Sequence, residues 1–427
     1  MLSMKCSTQS VAVVTALLIG IASPAFAQSG PRRAQVIVPK SSVERPEDRG
    51  IRSHTNLLIL QPASPLTGVR PLVGPPFSGY FYETPASIGC LYKLPGAKVV
   101  KGCNPNTVLA NPTGGFGAIA IVDAYDDPDA ASDLAAFSTQ FGLPLPGTNF
   151  SVVYASGKKP AQDSSGGWEL EESLDIEWAH AMAPSAQIIL VEAASASYTD
   201  LFAAETKAAS LVNLAGGGEV SNSWGGSETA GEASSDSIFV ESGVVFFASA
   251  GDSAGTIYPS VSPNVVSAGG TTISRNPVTG AFQAELAWNS AGGGPSAYES
   301  RPSYQDGVES MVGGSRGTPD LSFDSDPNTG VWVTDSIPVS GQGGPGAWWI
   351  VGGTSVASPS LAGIVNAAGS KNTSSDTELT EIYNHLGVVT DFGDTIKGSC
   401  YFYDGYLAVK GWDFCTGVGS VKGKIGK

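Results

Sequence analysis

The chain has 427 residues, of which 15% are charged and 41% are hydrophobic, and it carries 54 glycines and a net charge of −16. The hydrophobic content is too high for a disordered chain and is enough for one large domain or two ordinary ones. The negative charge argues against a nucleic-acid partner. It would suit a protein that works in acid, where protonation relieves repulsion between carboxylates, and an ordinary solvated acidic surface explains it equally well.

The first 27 residues have the pattern of a secretory signal peptide. Lys5 precedes an apolar run over 11–22 that is too short to span a bilayer, and the segment ends in Ala25-Phe26-Ala27, an A-x-A cleavage pattern. We expect cleavage after Ala27. Because no later segment is long and apolar enough to cross a membrane, we expect a secreted, extracellular protein that does not associate with membranes.

Export permits disulfide bonds. Cys6 leaves with the signal peptide, and the four cysteines that remain allow three connectivities. The local pairs are the simplest, and each closes a short loop worth about 3 kcal/mol by loop entropy. Four buried free thiols are the alternative. The local pairs are Cys90–Cys103 and Cys400–Cys415.

The chain then divides into an arm and a region of alternating strands and helices. The arm, over 28–74, is rich in proline, serine and arginine, and we expect it to be extended with one strand at 57–60. Thr84-Pro85 indicates a helix start. Strand–helix alternation predicts an α/β fold with a doubly wound, mostly parallel sheet. Strand patterns cover 118–122, 187–191, 219–224 and 244–248; helix patterns cover 133–141, 169–182, 199–214 and 355–368.

Ser355 follows Gly352-Gly353-Thr354 and precedes a run of small and apolar residues that is typical of a helix. Two glycines let the backbone turn tightly and approach a substrate closely, and a helix start favours negative charge. Pro359 is tolerable if it falls within the first turn. The pattern suits a nucleophilic serine, and it suits an ordinary glycine turn before a buried helix equally well.

Glu171 and Asp175 lie four residues apart in a predicted helix, so their side chains can meet, and Glu172 could also reach Asp175. In a partly buried site two such carboxyl groups share a proton, and one can then act as a base. A solvated acidic helix face is the alternative interpretation.

Asp252 lies in a glycine loop after the predicted strand 244–248, where an α/β sheet places its active groups. A turn-capping aspartate is the alternative. Histidine is nearly absent and its positions match no catalytic pattern, so a nucleophilic Ser355 would need a carboxylate as its base. The three histidines are His54, His180 and His385.

Ser355, the Glu-x-x-x-Asp pair and an aspartate in a Gly-Asp-Ser loop together resemble the sedolisin family, the serine-carboxyl peptidases. The match runs over about 80–420, and the joint order and spacing of its pieces are specific. It implies a subtilisin-like fold with helices on both faces of the sheet. It also implies a peptidase that cuts protein or peptide substrates at acid pH, with endopeptidase action favoured over exopeptidase action, and we expect a monomer. Other matching pieces are Ile119 to Asp123, Ser221 to Gly226, Gly269 to Thr271 and Pro319-Asp320.

The resemblance implies a role for each matching residue. Ser355 would be the nucleophile, Glu171 its general base and Asp175 the group that holds and tunes Glu171. Asp252 would donate a hydrogen bond to the developing oxyanion. The strand edge Ser223-Trp224-Gly225 would bind the substrate as an extended strand.

The resemblance also implies one calcium site within 391–420. Asp394 and Asp413 would give carboxylate oxygens, and hard oxygen ligands suit Ca²⁺. A hairpin closed by a disulfide accounts for the region without a metal. Backbone carbonyl ligands would come from Thr395, Val409 and Gly411.

The N-terminal region of the chain departs from the family pattern. The family usually carries a long folded propeptide, whereas only the arm over 28–74 precedes the peptidase domain assigned to 75–427. We therefore expect zymogen control to be absent or of another kind.

Three alternatives remain. A subtilisin-type protease would use Asp123, but no His-Gly-Thr follows it. An α/β-hydrolase is suggested by Gly313-Gly314-Ser315-Arg316-Gly317, but Thr318-Pro319 breaks the helix that this motif requires. A secreted, non-catalytic binding protein on a peptidase scaffold need not keep Ser355 together with its carboxyl groups.

Overall fold

The computed structural model describes residues 34–68, 71–369, 372–400 and 405–423. The predicted signal peptide lies outside these residues. The α-helices are α1 Pro85–Tyr92, α2 Ala130–Phe141, α3 Gly167–Met182, α4 Tyr198–Leu214, α5 Glu309–Val312, α6 Thr354–Ala367 and α7 Ser375–Asn384. The strands are β1 Gln35–Ile37, β2 His54–Thr55, β3 Leu58–Gln61, β4 Ala118–Ala124, β5 Phe150–Tyr154, β6 Gln187–Ala193, β7 Gly218–Asn222, β8 Trp224–Ser227, β9 Val244–Ser249, β10 Ile257–Tyr258, β11 Val266–Arg275, β12 Phe282–Ala287, β13 Gly294–Ser300, β14 Ser315–Thr318, β15 Leu321–Asp324, β16 Val331–Asp335, β17 Ala347–Gly352, β18 Phe392–Gly393 and β19 Ser420–Val421.

A parallel sheet forms the centre of the molecule. Its strands run β19-β15-β11-β9-β7-β4-β6-β5, and β18 and β12 join by antiparallel pairing. Every residue of β4 is buried, because alternate side chains enter cores on opposite faces of the sheet. Ile119 and Ile121 pack on the side of α3 and α6, and Ala120 and Val122 on the side of α4. The predicted α/β, subtilisin-like architecture is confirmed.

Helix α3 lies in the interior, and all 16 of its residues are buried. Its apolar face carries Leu170, Leu174 and Trp178, as the periodicity predicts. Helix α6 approaches closely because Gly363 has no side chain: a Cβ atom there would lie 2.7 Å from Cβ of Met182. Contact between these two helices brings their polar residues together. Among the described helices, none has the length and apolar character of a membrane span.

The arm contributes three strands, so the expectation of a single strand was wrong. Strand β3 pairs with β1 on one side and with β17 on the other, while β2 pairs with β8. The strand predicted over 219–224 is also corrected, since Ser223 interrupts it and separates β7 from β8. The other predicted elements named above are present, with ends shifted by three residues or fewer.

Two local features follow the sequence prediction. Helix α1 begins at Pro85 after the N-cap Thr84, whose side chain accepts a hydrogen bond from the Ser87 backbone N–H while the Ser87 hydroxyl accepts one from the Thr84 N–H. The disulfides Cys90–Cys103 and Cys400–Cys415 are both present, so the local connectivity is confirmed.

Replacing Leu174 with alanine should lower the free energy of unfolding by about 2–5 kcal/mol, because the substitution leaves a cavity in the fully buried α3. The matched control is Leu214→Ala on α4, where the leucine is 81% exposed and the expected change is within about 0.5 kcal/mol. Chemical denaturation measures both. Equal losses in the two variants would contradict the interior position of α3.

Candidate active site

Three neighbouring strands end at one edge of the sheet. Strand β4 pairs in parallel with β7, and β7 with β9, so their carboxyl ends meet. Asp123 lies near the end of β4, Ser223 directly follows β7, and Asp252 lies in the loop after β9. The sheet therefore gathers residues that are far apart in sequence.

Ser355 is the second residue of α6 and is fully buried. The turn before it requires glycine, since Gly353 has φ +103° and a Cβ atom there would lie 2.1 Å from the Asn56 carbonyl oxygen and 2.5 Å from Asp252 Oδ2. Ser355 Oγ donates to the Ser223 carbonyl oxygen at 3.2 Å. The glycine turn thus lets two polar groups approach the serine.

Pro359 is the sixth residue of α6, not a residue of its first turn as expected. Proline has no N–H, so Pro359 cannot donate to the Ser355 carbonyl one turn earlier. The Ser223 hydroxyl lies 3.2 Å from that carbonyl oxygen and 2.8 Å from Asp175 Oδ1. The proline therefore frees an acceptor through which Ser223 links α6 to α3.

Glu171 and Asp175 form a fully buried carboxyl pair on α3. Burial, then the charge of Asp175, then that of Asp123 raise the pKa of Glu171 well above its usual range, while a hydrogen bond from Ser355 opposes the shift. Burial raises the pKa of Asp175, and hydrogen bonds to Ser223 and Glu171 oppose it. Two carboxyl groups this close do not both ionise readily and share a proton.

The Ser355 hydroxyl can serve either of two acceptors. It donates to the Ser223 carbonyl, and within the described chain neither oxygen of Glu171 accepts a hydrogen bond of strict geometry. The hydroxyl is nevertheless close enough to lower the pKa of Glu171. Since a hydroxyl proton rotates freely between acceptors, Glu171 is placed to receive it.

Asp252 faces the start of α6. Its Oδ1 accepts hydrogen bonds from the Thr354 N–H at 2.7 Å and the Thr354 hydroxyl at 2.9 Å. Its Oδ2 is buried and has no hydrogen-bond partner among the described residues. Burial raises the pKa of Asp252 to about 7, against the lowering effect of the Thr354 hydrogen bonds. Below that pH the carboxyl group carries a proton that it can donate.

Other candidates lie away from Ser355. Burial raises the pKa of Glu172 well above its usual range, and the charges of Asp127, Glu192 and Asp123 raise it further. The histidines also bond elsewhere. Nitrogens of His54, His180 and His385 contact the Thr55 carbonyl at 3.0 Å, the Pro144 carbonyl at 2.8 Å and the Asp391 carboxyl at 2.8 Å, respectively.

The predicted substrate strand is engaged by the arm. The Trp224 ring is buried and donates its Nε1–H to the Val122 carbonyl at 2.9 Å. Only the backbone of Trp224 is therefore available to pair with an extended peptide. That backbone pairs with Thr55, and Gly225 pairs with His54. Sequence reasoning missed this pairing because a two-residue strand carries no periodic signal.

Two neighbours of Ser355 were also missed. Thr354 binds Asp252, and Asn56 of the arm accepts the Ser355 N–H at 3.0 Å. The resemblance draws attention to Gly353 and Ser355 but gives no signal for a residue 299 positions earlier in the printed sequence. Only the folded chain reveals Asn56.

The residues proposed for calcium converge on one loop. Asp394 Oδ2 accepts from the Gly411 N–H at 3.1 Å, and Asp413 Oδ2 accepts from the Val409 N–H at 2.9 Å. The carbonyl oxygens of Thr395, Val409 and Gly411 accept no backbone hydrogen bond within the described ranges. Two carboxylates and three backbone carbonyls fit a hard cation. No cluster of three or more metal-binding side chains occurs in the described part of the chain, so the carbonyls would be essential.

The fold and this site together define a class: an α/β, subtilisin-like protein whose buried serine is accompanied by carboxyl groups. No protein-family model matches the chain. It is 27% identical to sedolisin from Pseudomonas sp. (strain 101) over 77% of its length and 29% identical to kumamolisin from Bacillus sp. (strain MN-32) over 71%. The chain is therefore similar to serine-carboxyl peptidases of the sedolisin family over most of its length.

A solved structure is also similar to this chain. The complex of Pseudomonas sedolisin, a serine-carboxyl proteinase, with pseudo-iodotyrostatin matches at a TM-score of 0.62 and 26% identity, over 80% of this chain and 95% of that one. An S41 psychrophilic protease, 17% identical over 80% of this chain and 98% of its own, shares the fold at a TM-score of 0.51. The alignments span 61% of curated sedolisin and 58% of curated kumamolisin.

From the raised pKa values of the buried carboxyl groups, we expect the protein to be most stable in acid. Burial raises the pKa of Glu169 and Glu192 to about 8 and that of Asp127 to about 7, whereas unfolded carboxyls titrate near pH ~4. The folded state then binds more protons, so its stability is complete below pH ~4 and falls as pH rises through 7 to 8. The melting temperature should decrease across this interval.

Glu172→Gln should make that decrease shallower, because it removes one buried ionisable group. The control is Asp376→Asn at an exposed position, which should leave the slope unchanged. A melting temperature that rises from pH ~4 to neutrality would contradict the prediction.

Proposed function

We propose that the protein is a secreted, monomeric serine-carboxyl endopeptidase that hydrolyses peptide bonds of proteins or peptides at acid pH. One observation carries the proposal: the Ser355 hydroxyl, the buried pair Glu171–Asp175 and the free oxygen of Asp252 meet at one edge of the sheet. The two disulfides and the signal-like N-terminal sequence support secretion.

In the first step Ser355 Oγ attacks the substrate carbonyl carbon and Glu171 takes the hydroxyl proton. Glu171 must be ionised to do so. The proton shared by the pair then stays on Asp175, so that the charge of Asp175 no longer opposes the ionisation of Glu171. Asp175 thus acts through Glu171 without touching the substrate.

The developing oxyanion needs donors. The Ser355 N–H and the protonated Oδ2 of Asp252 point toward the same space beside Gly353. Hydrogen bonds aimed at charge that appears only in the transition state accelerate the reaction. Asp252 supplies one only while protonated, and its pKa of about 7 sets the upper limit of the active range.

The intermediate collapses when Glu171 returns its proton to the leaving amine. Water, deprotonated by Glu171, then hydrolyses the ester on Ser355. Activity requires ionised Glu171 together with protonated Asp252. Because Asp252 is protonated only below its pKa of about 7, this combination is lost above neutrality.

Ser355→Ala should reduce cleavage of a denatured protein at pH ~4 by roughly 10⁴-fold or more, and Glu171→Gln should do nearly the same because the two act as a unit. Ser360→Ala, at a buried serine on the same helix, is the matched control and should keep wild-type activity. If the wild type and Ser355→Ala cleave equally, or neither cleaves, the protein is a binding scaffold and the proposal fails.

The upper pH limit isolates the part played by Asp252. Asp252→Asn keeps a donor at every pH, so the fall in kcat/KM near pH 7 should flatten, whereas Asp252→Ala should lose about 10²–10³-fold throughout. The pH profiles of both variants on one peptide measure this. An unchanged upper limit in Asp252→Asn would remove Asp252 from the mechanism.

We also propose one structural Ca²⁺ site, with side-chain oxygens of Asp394 and Asp413 and the backbone carbonyls of Thr395, Val409 and Gly411 as ligands. Asp413 already fixes the loop by accepting hydrogen bonds from the N–H groups of Cys415 and Thr416 at 2.9 Å each. Bound calcium would neutralise the two carboxylates and hold the loop closed. It takes no part in the chemical step.

Removing calcium with a chelator should lower the melting temperature by about 5 °C at a calcium level near 100 times Kd. Added Ca²⁺ should restore it, and Mg²⁺ should not. Asp394→Asn should abolish the response without changing the melting temperature of the chelated protein. A wild-type melting temperature that does not respond to chelation would rule the site out.

A further inference from the structure

The position of Asn56 shows where the cleft would bind one particular side chain of a substrate. Strand β2 pairs with β8, the predicted substrate edge, and Asn56 follows β2 directly. The Asn56 N–H donates to the Ser223 carbonyl at 3.1 Å, and the Asn56 carbonyl accepts the Ser355 N–H at 3.0 Å. A substrate strand on the same edge would make the same backbone contacts. Its residue beside the nucleophile, the one before the scissile bond, would place its side chain where that of Asn56 lies.

The pocket around the Asn56 side chain offers a polar partner. Asn56 is 2% exposed, and its Nδ2 donates to Ser249 Oγ at 2.6 Å. Ser249 is the last residue of β9 and is fully buried. A buried hydroxyl that a carboxamide satisfies is left without that hydrogen bond by an apolar side chain. The pocket therefore discriminates in favour of the carboxamide.

The length of the pocket is limited by Ile257. Its side chain reaches both walls: a Cβ atom at Gly225, in β8, would lie 2.5 Å from Ile257 Cδ1, and one at Gly251, in the loop after β9, would lie 3.3 Å from the same atom. Glycine at these two positions makes room for the isoleucine, which fills the space between the strand edge and the loop. A large aromatic side chain would have to displace it.

We propose that Ser249 and Ile257 determine which residue the protein accepts before the scissile bond, and that asparagine is the preferred residue. The proposal rests on the function proposed above and names its substrate class, peptides that are cut after asparagine. Ser249 recognises the carboxamide and Ile257 excludes long side chains. Neither residue takes part in bond breaking, which remains with Ser355 and Glu171.

A set of peptides that differ only in the residue before the scissile bond tests the proposal with the wild-type protein at pH ~4. The three residues are asparagine, leucine, which has a similar branched shape without the hydrogen bond, and phenylalanine. We expect kcat/KM to be about tenfold higher for asparagine than for leucine, as for one buried hydrogen bond, and to be lowest for phenylalanine. Mass spectrometry of the products identifies the bond that is cut.

Two variants separate the parts played by the pocket residues. Ser249→Ala should lower kcat/KM for the asparagine peptide about tenfold and should not lower it for the leucine peptide. Ile257→Ala should raise kcat/KM for the phenylalanine peptide by about tenfold or more, because it lengthens the pocket, and should leave the asparagine peptide little changed.

The matched control is Ser322→Ala, at a fully buried serine of β15 whose hydroxyl has no hydrogen-bond partner among the described residues. It should leave all three ratios as in the wild type. Melting temperatures show that the three variants fold.

The outcomes separate this proposal from the proposed function. If the wild type cuts the three peptides at equal rates, or prefers leucine or phenylalanine, the proposed preference is overturned and the peptidase function stands. A preference for asparagine that is unchanged in Ser249→Ala also overturns it. If the wild type cuts none of the peptides, both proposals fail.

Discussion

The burial of five carboxyl groups on α3 is the constraint on which the rest of the structure depends. None of them forms an ion pair with a described lysine, arginine or histidine. An unpaired buried carboxylate costs several kcal/mol, and a protonated, neutral carboxyl group avoids that cost. The same burial that makes the helix depend on acid raises the pKa of Glu171 and Asp175, the proposed base and its partner. The five are Glu169, Glu171, Glu172, Asp175 and Glu177.

Contact between α3 and α6 brings the buried Glu171 of α3 close to Ser355 of α6. Gly363 allows the two helices to approach, and Pro359 leaves the Ser355 carbonyl open to Ser223, which also reaches Asp175. A small residue and a missing N–H therefore bring α6, which carries the proposed nucleophile Ser355, close to α3, which carries the proposed base Glu171. Catalytic groups held by packed helices keep their geometry better than groups on loops.

The arm covers the strand edge that was predicted to bind substrate. A strand edge that binds a substrate backbone binds any extended backbone, and the chain's own segment has the advantage of being attached. The arm pairs with that edge through His54 and Thr55, and the expectation that zymogen control is absent or of another kind stays a prediction.

The sequence by itself determined the strand–helix alternation, the two local disulfides and the candidates Ser355, Glu171, Asp175 and Asp252, because periodicity, short loops and fixed spacings are local properties. Their roles stay predictions. Tertiary structure alone decided that Ser223 separates two strands and that Asn56 lies against Ser355. Those facts depend on pairing between segments more than a hundred residues apart in the printed sequence, and strand pairing leaves no periodic mark on a two-residue strand.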